Sequence, residues 1–296
     1  MLVYERAVST EVFPGASFLI DGEIPRGVYL LTGPSGAGKT TFCKTFIAKG
    51  LSNKETGIYL STDEDCREIE ASIQNLVEEK DRTKGDLRLV DAYSWRVRGA
   101  SGNEPFVAVN PADLTGVMIT CQKICQNVSK PRFVFDSITN LEVQSDSDTT
   151  LKFLQLVTAK MRSLNALAFF TLIPTAHDTM FVSKVKTMFD GIFETKIDDT
   201  GLEITRLFRI FSIKGVNHQT RWIAFNITKK GISMVEDSTP RCAWCGGVIP
   251  YEPHKETIEG LTYTFHAAGC SDNFKRRSAL ERLSAQLRPC STGSSK

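Results

Sequence analysis

The stretch "LLTGPSGAGKTTF", residues 31–43, runs an apolar segment into a glycine-rich turn and then into a basic and two hydroxyl side chains. Gly33, Pro34, Ser35, Gly36, Ala37, Gly38, Lys39 and Thr40 fit the pattern G-x-x-x-x-G-K-[ST], with Thr41 beside it. Glycines at these positions let successive backbone N–H groups turn toward one point, and a helix that follows adds its positive N-terminal end. Lys39 is suited to neutralising β- and γ-phosphates, and the Thr40 hydroxyl to ligating Mg²⁺. The segment therefore predicts a nucleoside triphosphate site between a strand and a helix.

Around it, short β-branched and aromatic runs alternate with helical patterns. Strands are predicted at 27–32, 57–61, 87–94, 132–136, 167–173 and 191–197. Between them lie "TTFCKTFIAKGL", "CREIEASIQNLVEEK", "ADLTGVMITCQKICQNV" and "TLKFLQLVTAKMRSL", with apolar residues spaced by three and four. Buried strands alternating with helices predict an α/β fold with a mainly parallel sheet flanked by helices. After residue 200 the rhythm changes: 206–213, 221–228 and 231–235 follow one another without a helix and read as antiparallel strands. The polar seam "EDSTPR" (236–241) predicts a boundary, giving a main domain over 1–236 and a small module over 237–296. The segments 96–105 and 144–150 read as loops.

Two acidic features bear on the nucleotide. Asp136 ends the apolar strand "RFVFD", where a carboxylate can hold the water shell of Mg²⁺. Ser137 follows it, so the group that activates water has to come from elsewhere. Asp63, Glu64 and Asp65 stand just past the strand "GIYLS", where a carboxylate can deprotonate a water for in-line attack. Glu64 is the first choice as base, with Asp63 assisting. The bland alternative is that these acids begin the next helix, where negative charge is favourable.

These pieces together resemble the RecA superfamily, and more closely its KaiC-like branch. The stretches that carry the resemblance are "GEIPRGVYLLTGPSGAGKTTF", "GIYLSTDED", "VDAYSW", "FVFDSITNL" and "IFSIKGVNH", spread over about residues 10–235. The resemblance implies a RecA-type core, ATP as the nucleotide, and catalytic acids at Asp63 and Glu64. It also implies a homo-oligomer in which Lys214 reaches a neighbouring subunit's γ-phosphate. Two residues beyond that lysine, where the family has an arginine, stands Val216. Loss of such a cation predicts low turnover, since an arginine finger is worth about 10³–10⁵ in rate. Arg209 and Arg221 are nearby substitutes in sequence. His218 matches a family histidine, and His177 has no assigned role.

Cys242 and Cys245, then His266 and Cys270, form two paired ligand sets at a spacing that suits a tetrahedral Zn²⁺ site. His254 is the alternative to His266. The order of knuckle, hairpin and helix resembles treble-clef zinc modules. A closed four-ligand site is structural, and the basic helix after Cys270 suits partner contact.

The totals exclude some classes. The 296-residue chain is 41% hydrophobic and 24% charged, ordinary for a globular protein, and its net charge of +2 is uninformative about nucleic acid. No apolar run of membrane-spanning length and no secretory signal are apparent, so a cytoplasmic protein with reduced cysteines is predicted. Taken together, the residues predict a cytoplasmic, Mg²⁺-dependent, slow ATPase with a regulatory role, and a zinc module that contacts a protein partner. A DNA-binding recombination protein and a non-hydrolysing nucleotide sensor are the alternatives. DNA is the less favoured partner.

Overall fold

The computed structural model describes residues 19–20, 24–77, 85–95, 107–199, 204–235, 242–245, 249, 252–258 and 261–286, with residues 261 and 278–286 described through their backbone. It divides into two compact units, 1–235 and 236–296.

In the first unit the strands are β1 (Gly27–Thr32), β2 (Thr56–Ser61), β3 (Asp86–Asp91), β4 (Val107–Ala108), β5 (Arg132–Asp136), β6 (Leu167–Leu172), β7 (Gly191–Asp198), β8 (Thr205–Ile213), β9 (Ile223–Thr228) and β10 (Gly231–Met234). Helices α1 (Lys39–Ser52), α2 (Cys66–Leu76), α3 (Leu114–Ile124), α4 (Ile138–Glu142), α5 (Ser147–Ser163) and α6 (Thr179–Thr187) are interleaved with them. One sheet orders the strands β10-β9-β8-β7-β1-β6-β5-β2-β3-β4. Pairings from β7 through β4 are parallel, and β8, β9 and β10 extend the sheet in antiparallel fashion.

A sheet buried on both faces needs near-continuous apolar strands, and β5 and β6 are buried along their whole length. Alternate residues feed two cores. On one face Phe42 and Phe46 of α1 meet the Phe169 ring at 5.1 and 5.0 Å. On the other, Phe135 stacks on Phe170 at 5.5 Å and packs edge-on against Phe153 of α5. Each fully buried aromatic of this kind contributes about 1.5–3 kcal/mol. A buried charge also sits under α1: the fully enclosed Arg132 guanidinium bonds Glu55 at 2.5 Å and donates to the Phe46 carbonyl at 3.0 Å. Arg26 pairs with the same carboxylate.

Two of the differences from the sequence expectation have clear local causes. The strand expected over 87–94 ends at Asp91, because Asp91 Oδ1 accepts the N–H groups of Tyr93 (2.9 Å) and Ser94 (2.7 Å) and turns the chain. The loop expected over 144–150 contains a helix start. Asp146 caps α5 by accepting the Thr149 N–H at 2.8 Å. The loop expected over 96–105 lies outside the described residues.

The second unit contains the hairpin β11 (His254–Ile258) and β12 (Leu261–Phe265), followed by α7 (Ala268–Gln286). Its small core centres on Cys242, Ile249 and Phe265, with Phe274 of α7 against the rings of Tyr263 (4.9 Å) and Phe265 (5.6 Å). Among the described residues, no helix is long and apolar enough to cross a membrane.

Candidate nucleotide site and cysteine–histidine cluster

The turn from β1 into α1 wraps a cavity of about 240 Å³ lined by Ser35, Gly36, Gly38, Lys39, Thr40 and Thr41. The C-terminal ends of β2 and β5 bring Asp63, Asp136 and Ser137 to the same cavity, and Ile173 and Ile227 form its apolar wall. Gly33 is required by close approach: a Cβ there would lie 2.4 Å from the Thr195 carbonyl oxygen. Gly38 starts α1 at φ 89°, in the left-handed region that favours glycine. Helix α1 thus opens with its unpaired N–H groups at the cavity.

Lys39 is nearly buried, and its ammonium donates to the carbonyls of Gly33 (2.9 Å) and Pro34 (2.8 Å). Burial lowers its pKa, opposed chiefly by the charge of Asp136. Asp136 is held at both oxygens. Thr171 donates to Oδ1 at 2.5 Å and Tyr59 to Oδ2 at 2.7 Å. Thr171 and Tyr59 went unnoticed in the sequence, although Thr171 puts a hydroxyl into the otherwise apolar β6. Arg206 was missed as well; its Nε donates to the Gly36 carbonyl at 3.1 Å.

The two acids after β2 have different surroundings. Asp63 lines the cavity, and burial followed by the charge of Asp136 raises its pKa. Glu64, the first choice from sequence, is not among the lining residues and pairs with Lys44 Nζ at 2.7 Å. Asp65 caps α2 by accepting the Arg67 N–H at 2.9 Å. One acid of the three thus has the helix-starting role weighed for them all.

Lys214 does not line this cavity. It follows β8 at Ile213, which pairs with Gly191, and its N–H bonds the Asp190 carbonyl beside the start of β1. The phosphate-loop sequence follows the other end of β1, about 16 Å away at strand rise. Its ammonium lies 3.6 Å from Asp190. Arg209 is engaged by Glu194 at 2.6 Å and lies 4.4 Å over the Trp222 ring. Arg221 has a buried Nε without a partner among the described residues. His218 bonds the Val216 carbonyl through Nδ1 at 3.0 Å. His177 sits between Glu142 and Thr139, 3.2 Å from each.

A family model described as "ATPase: KaiC" matches residues 12–239, more than three-quarters of the sequence. The chain belongs to the KaiC family of ATPases. Among relatives of this family, a UPF0273 protein of Methanopyrus kandleri is 27% identical over 76% of this chain and 90% of its own length. A UPF0273 protein of Pyrococcus horikoshii is 26% identical over 78% of this chain and 95% of its own. The crystal structure of a KaiC-like protein of Pyrococcus horikoshii superposes with a TM-score of 0.57 at 20% identity, covering 78% of this chain and 99% of that one, a likeness of fold. The KaiC family match ends at residue 239, and the cysteine–histidine residues lie beyond it.

In the second unit, ligand atoms of Cys242, Cys245 and His266 lie within 4.8 Å of one another. Cys245 Sγ is 3.4 Å from His266 Nδ1, whereas Cys270, the fourth ligand expected from the sequence, is not part of this group. Burial raises the Cys242 thiol, but N–H groups of Cys245, His266 and Trp244 outweigh it and bring its pKa down to about 6. His254 stands apart on β11, its Nε2 3.9 Å from Glu256.

Proposed function

We propose that this KaiC-family chain binds Mg²⁺-ATP in the cavity at the head of α1 and hydrolyses it slowly. The observation that carries the reading is the convergence of Lys39, Thr40, Asp63 and Asp136 on one cavity at a helix N-terminus. The N–H groups and Lys39 suit the phosphates. A hydroxyl at Thr40 and a carboxylate at Asp136 make a hard oxygen donor set that fits Mg²⁺, with Asp136 acting through water because both its oxygens are already bonded. The bound ion supplies charge neutralisation at the β- and γ-phosphates.

Asp63, rather than Glu64, is the general base in this reading. It is the acid on the cavity wall, and its raised pKa brings it closer to the working pH of a base. Slow turnover follows from Val216 in the place of a family arginine, with Lys214 left to approach the nucleotide of a neighbouring copy in a homo-oligomer. In this reading the protein works in the cytoplasm, and nucleotide state regulates assembly or contact with a protein partner. A structural Zn²⁺ held by Cys242, Cys245, His266 and Cys270 would order residues 237–296 as the module that makes that contact, the main domain being 1–236. The low thiol pKa of Cys242 suits a thiolate ligand. ATP turnover with and without Mg²⁺, and fluorescent-ATP binding to wild type and Lys39→Ala, test the nucleotide reading. Unchanged binding in Lys39→Ala would discard it.

A further inference from the structure

Asp63 has two carboxylate oxygens, and its surroundings treat them differently. The side-chain hydrogen bonds to it, from Thr62 Oγ1 at 3.2 Å, Ser137 Oγ at 3.4 Å and the amide of Asn140, all meet at Oδ1. Among the described residues, none reaches Oδ2.

The three donors are unequal. Thr62 has one hydroxyl proton, and the Ser137 carbonyl lies closer to it, at 3.0 Å. Ser137 Oγ is at the long limit of a hydrogen bond. Asn140 has two N–H bonds and two acceptors: the Thr62 carbonyl at 3.3 Å and Asp63 Oδ1. Both neighbours only accept, which fixes the amide with nitrogen toward them. The amide also rides on a held element. Helix α4 begins just after Ser137, and its Thr139 hydroxyl accepts the N–H of Ile173, a residue of the cavity wall, at 3.0 Å.

We propose that Asn140 is a positioning residue for ATP hydrolysis: it clamps Oδ1 of Asp63 and so leaves Oδ2 as the oxygen that faces the attacking water. This rests on the reading of Asp63 as base. In the step served, the water oxygen bonds to Pγ while the bond from Pγ to the bridging oxygen breaks. ADP leaves with that electron pair, and the water proton passes to Oδ2 of Asp63. An amide donor at Oδ1 favours the ionised base. It acts with Lys39 of α1 and against Asp136 of β5, the charged groups that face Asp63.

The test compares wild type, Asn140→Ala, the near-isosteric Asn140→Asp, Asp63→Asn and the Asn140→Ala/Asp63→Asn double variant. Asn140→Ala is expected to lower kcat about 10²-fold, the size of effect a misplaced group produces, with fluorescent-ATP affinity unchanged. Asn140→Asp is expected to shift the acid limb of the kcat profile upward by about one pH unit, as a facing carboxylate does. The double variant should be no slower than Asp63→Asn, because Asn140 acts through Asp63. Independently of turnover, ¹³C NMR titration of the Asp63 carboxyl should give a higher pKa in Asn140→Ala. Wild-type kcat in Asn140→Ala while Asp63→Asn is inactive would overturn the positioning role and leave the base intact. Turnover retained in Asp63→Asn would remove both. An unmoved Asp63 titration, or an equal further loss on the Asp63→Asn background, would also overturn the proposal.

Discussion

The phenol of Tyr59, on β2, donates a 2.7 Å hydrogen bond to Oδ2 of Asp136 at the end of β5. Ser61 and Asp136 are direct register partners, so Tyr59 reaches along the strand pair to a carboxylate one turn of the pleat away. With Thr171 on the second oxygen, the carboxylate is held from both neighbouring strands. Burial and then the charge of Asp136 push the Tyr59 pKa well up, so the phenol remains a donor.

Tyr59→Phe removes that donor while keeping the ring. Hydrogen bonds to charged groups are worth about 1.5–3 kcal/mol, and the unfolding free energy is expected to fall by that amount in urea titrations. The half-saturating Mg²⁺ concentration for turnover should rise as well. A variant as stable as wild type would show that the bond contributes nothing.

The acids after β2 should separate cleanly. Asp63→Asn is expected to lose turnover by about 10²–10⁴-fold, the range for removing a general base, while still binding ATP. Glu64→Gln breaks only the pairing with Lys44, which is partly solvated, and should stay within several-fold of wild type. The reverse order in steady-state assays would return the base to Glu64.

Asp63 also gives a pH dependence with a definite sign. Its folded pKa is raised above the unfolded value, first by burial and then by Asp136. The folded state thus holds the proton more tightly, and the group's contribution favours folding below the unfolded value and declines as pH rises through the folded pKa. Asp63→Asn should abolish this decline, which denaturant titrations from acid to neutral pH can follow. An identical pH dependence in wild type and variant would exclude it.

Glu55 bridges the enclosed Arg132 and Arg26. Glu55→Ala leaves a cation fully buried under α1 without its counter-charge, which is expected to cost about 3–5 kcal/mol. The measurement is again equilibrium unfolding. A loss below 1 kcal/mol (roughly the value of a surface pair) would mean that solvent reaches the guanidinium.

For the second unit, purified protein is expected to carry one zinc per chain, and Cys242→Ser or strong chelation should release it and unfold residues 236–296 without lowering ATP binding. Structural zinc contributes about 10–16 kcal/mol of apparent binding energy in small domains, so partial retention of order is not expected. Metal analysis combined with limited proteolysis reads both outcomes. Absence of zinc in metal-replete preparations would count against the site.

Local chemistry wrote much of this molecule into the chain. Apolar runs such as "RFVFD" and "LAFFTLI", short, aromatic-rich and set between helical patterns, read as buried strands, and the glycines of 33–40 suit a tight turn that opens a helix, so the parallel sheet and the position of the glycine-rich turn were legible. The spacing of Cys242, Cys245 and His266 likewise pointed to side chains that meet, while Cys270, expected with them, stays outside the group. What the sequence left open was choice among neighbours. Asp63 and Glu64 are adjacent in the chain and chemically alike, and only the path of the backbone after β2 sends one to the cavity and the other to Lys44. Asn140, Tyr59 and Thr171 act through contacts 77, 77 and 35 residues distant in sequence, which no local pattern encodes. Side-chain direction at such a junction depends on which strands lie side by side, and strand adjacency is a property of the folded sheet alone.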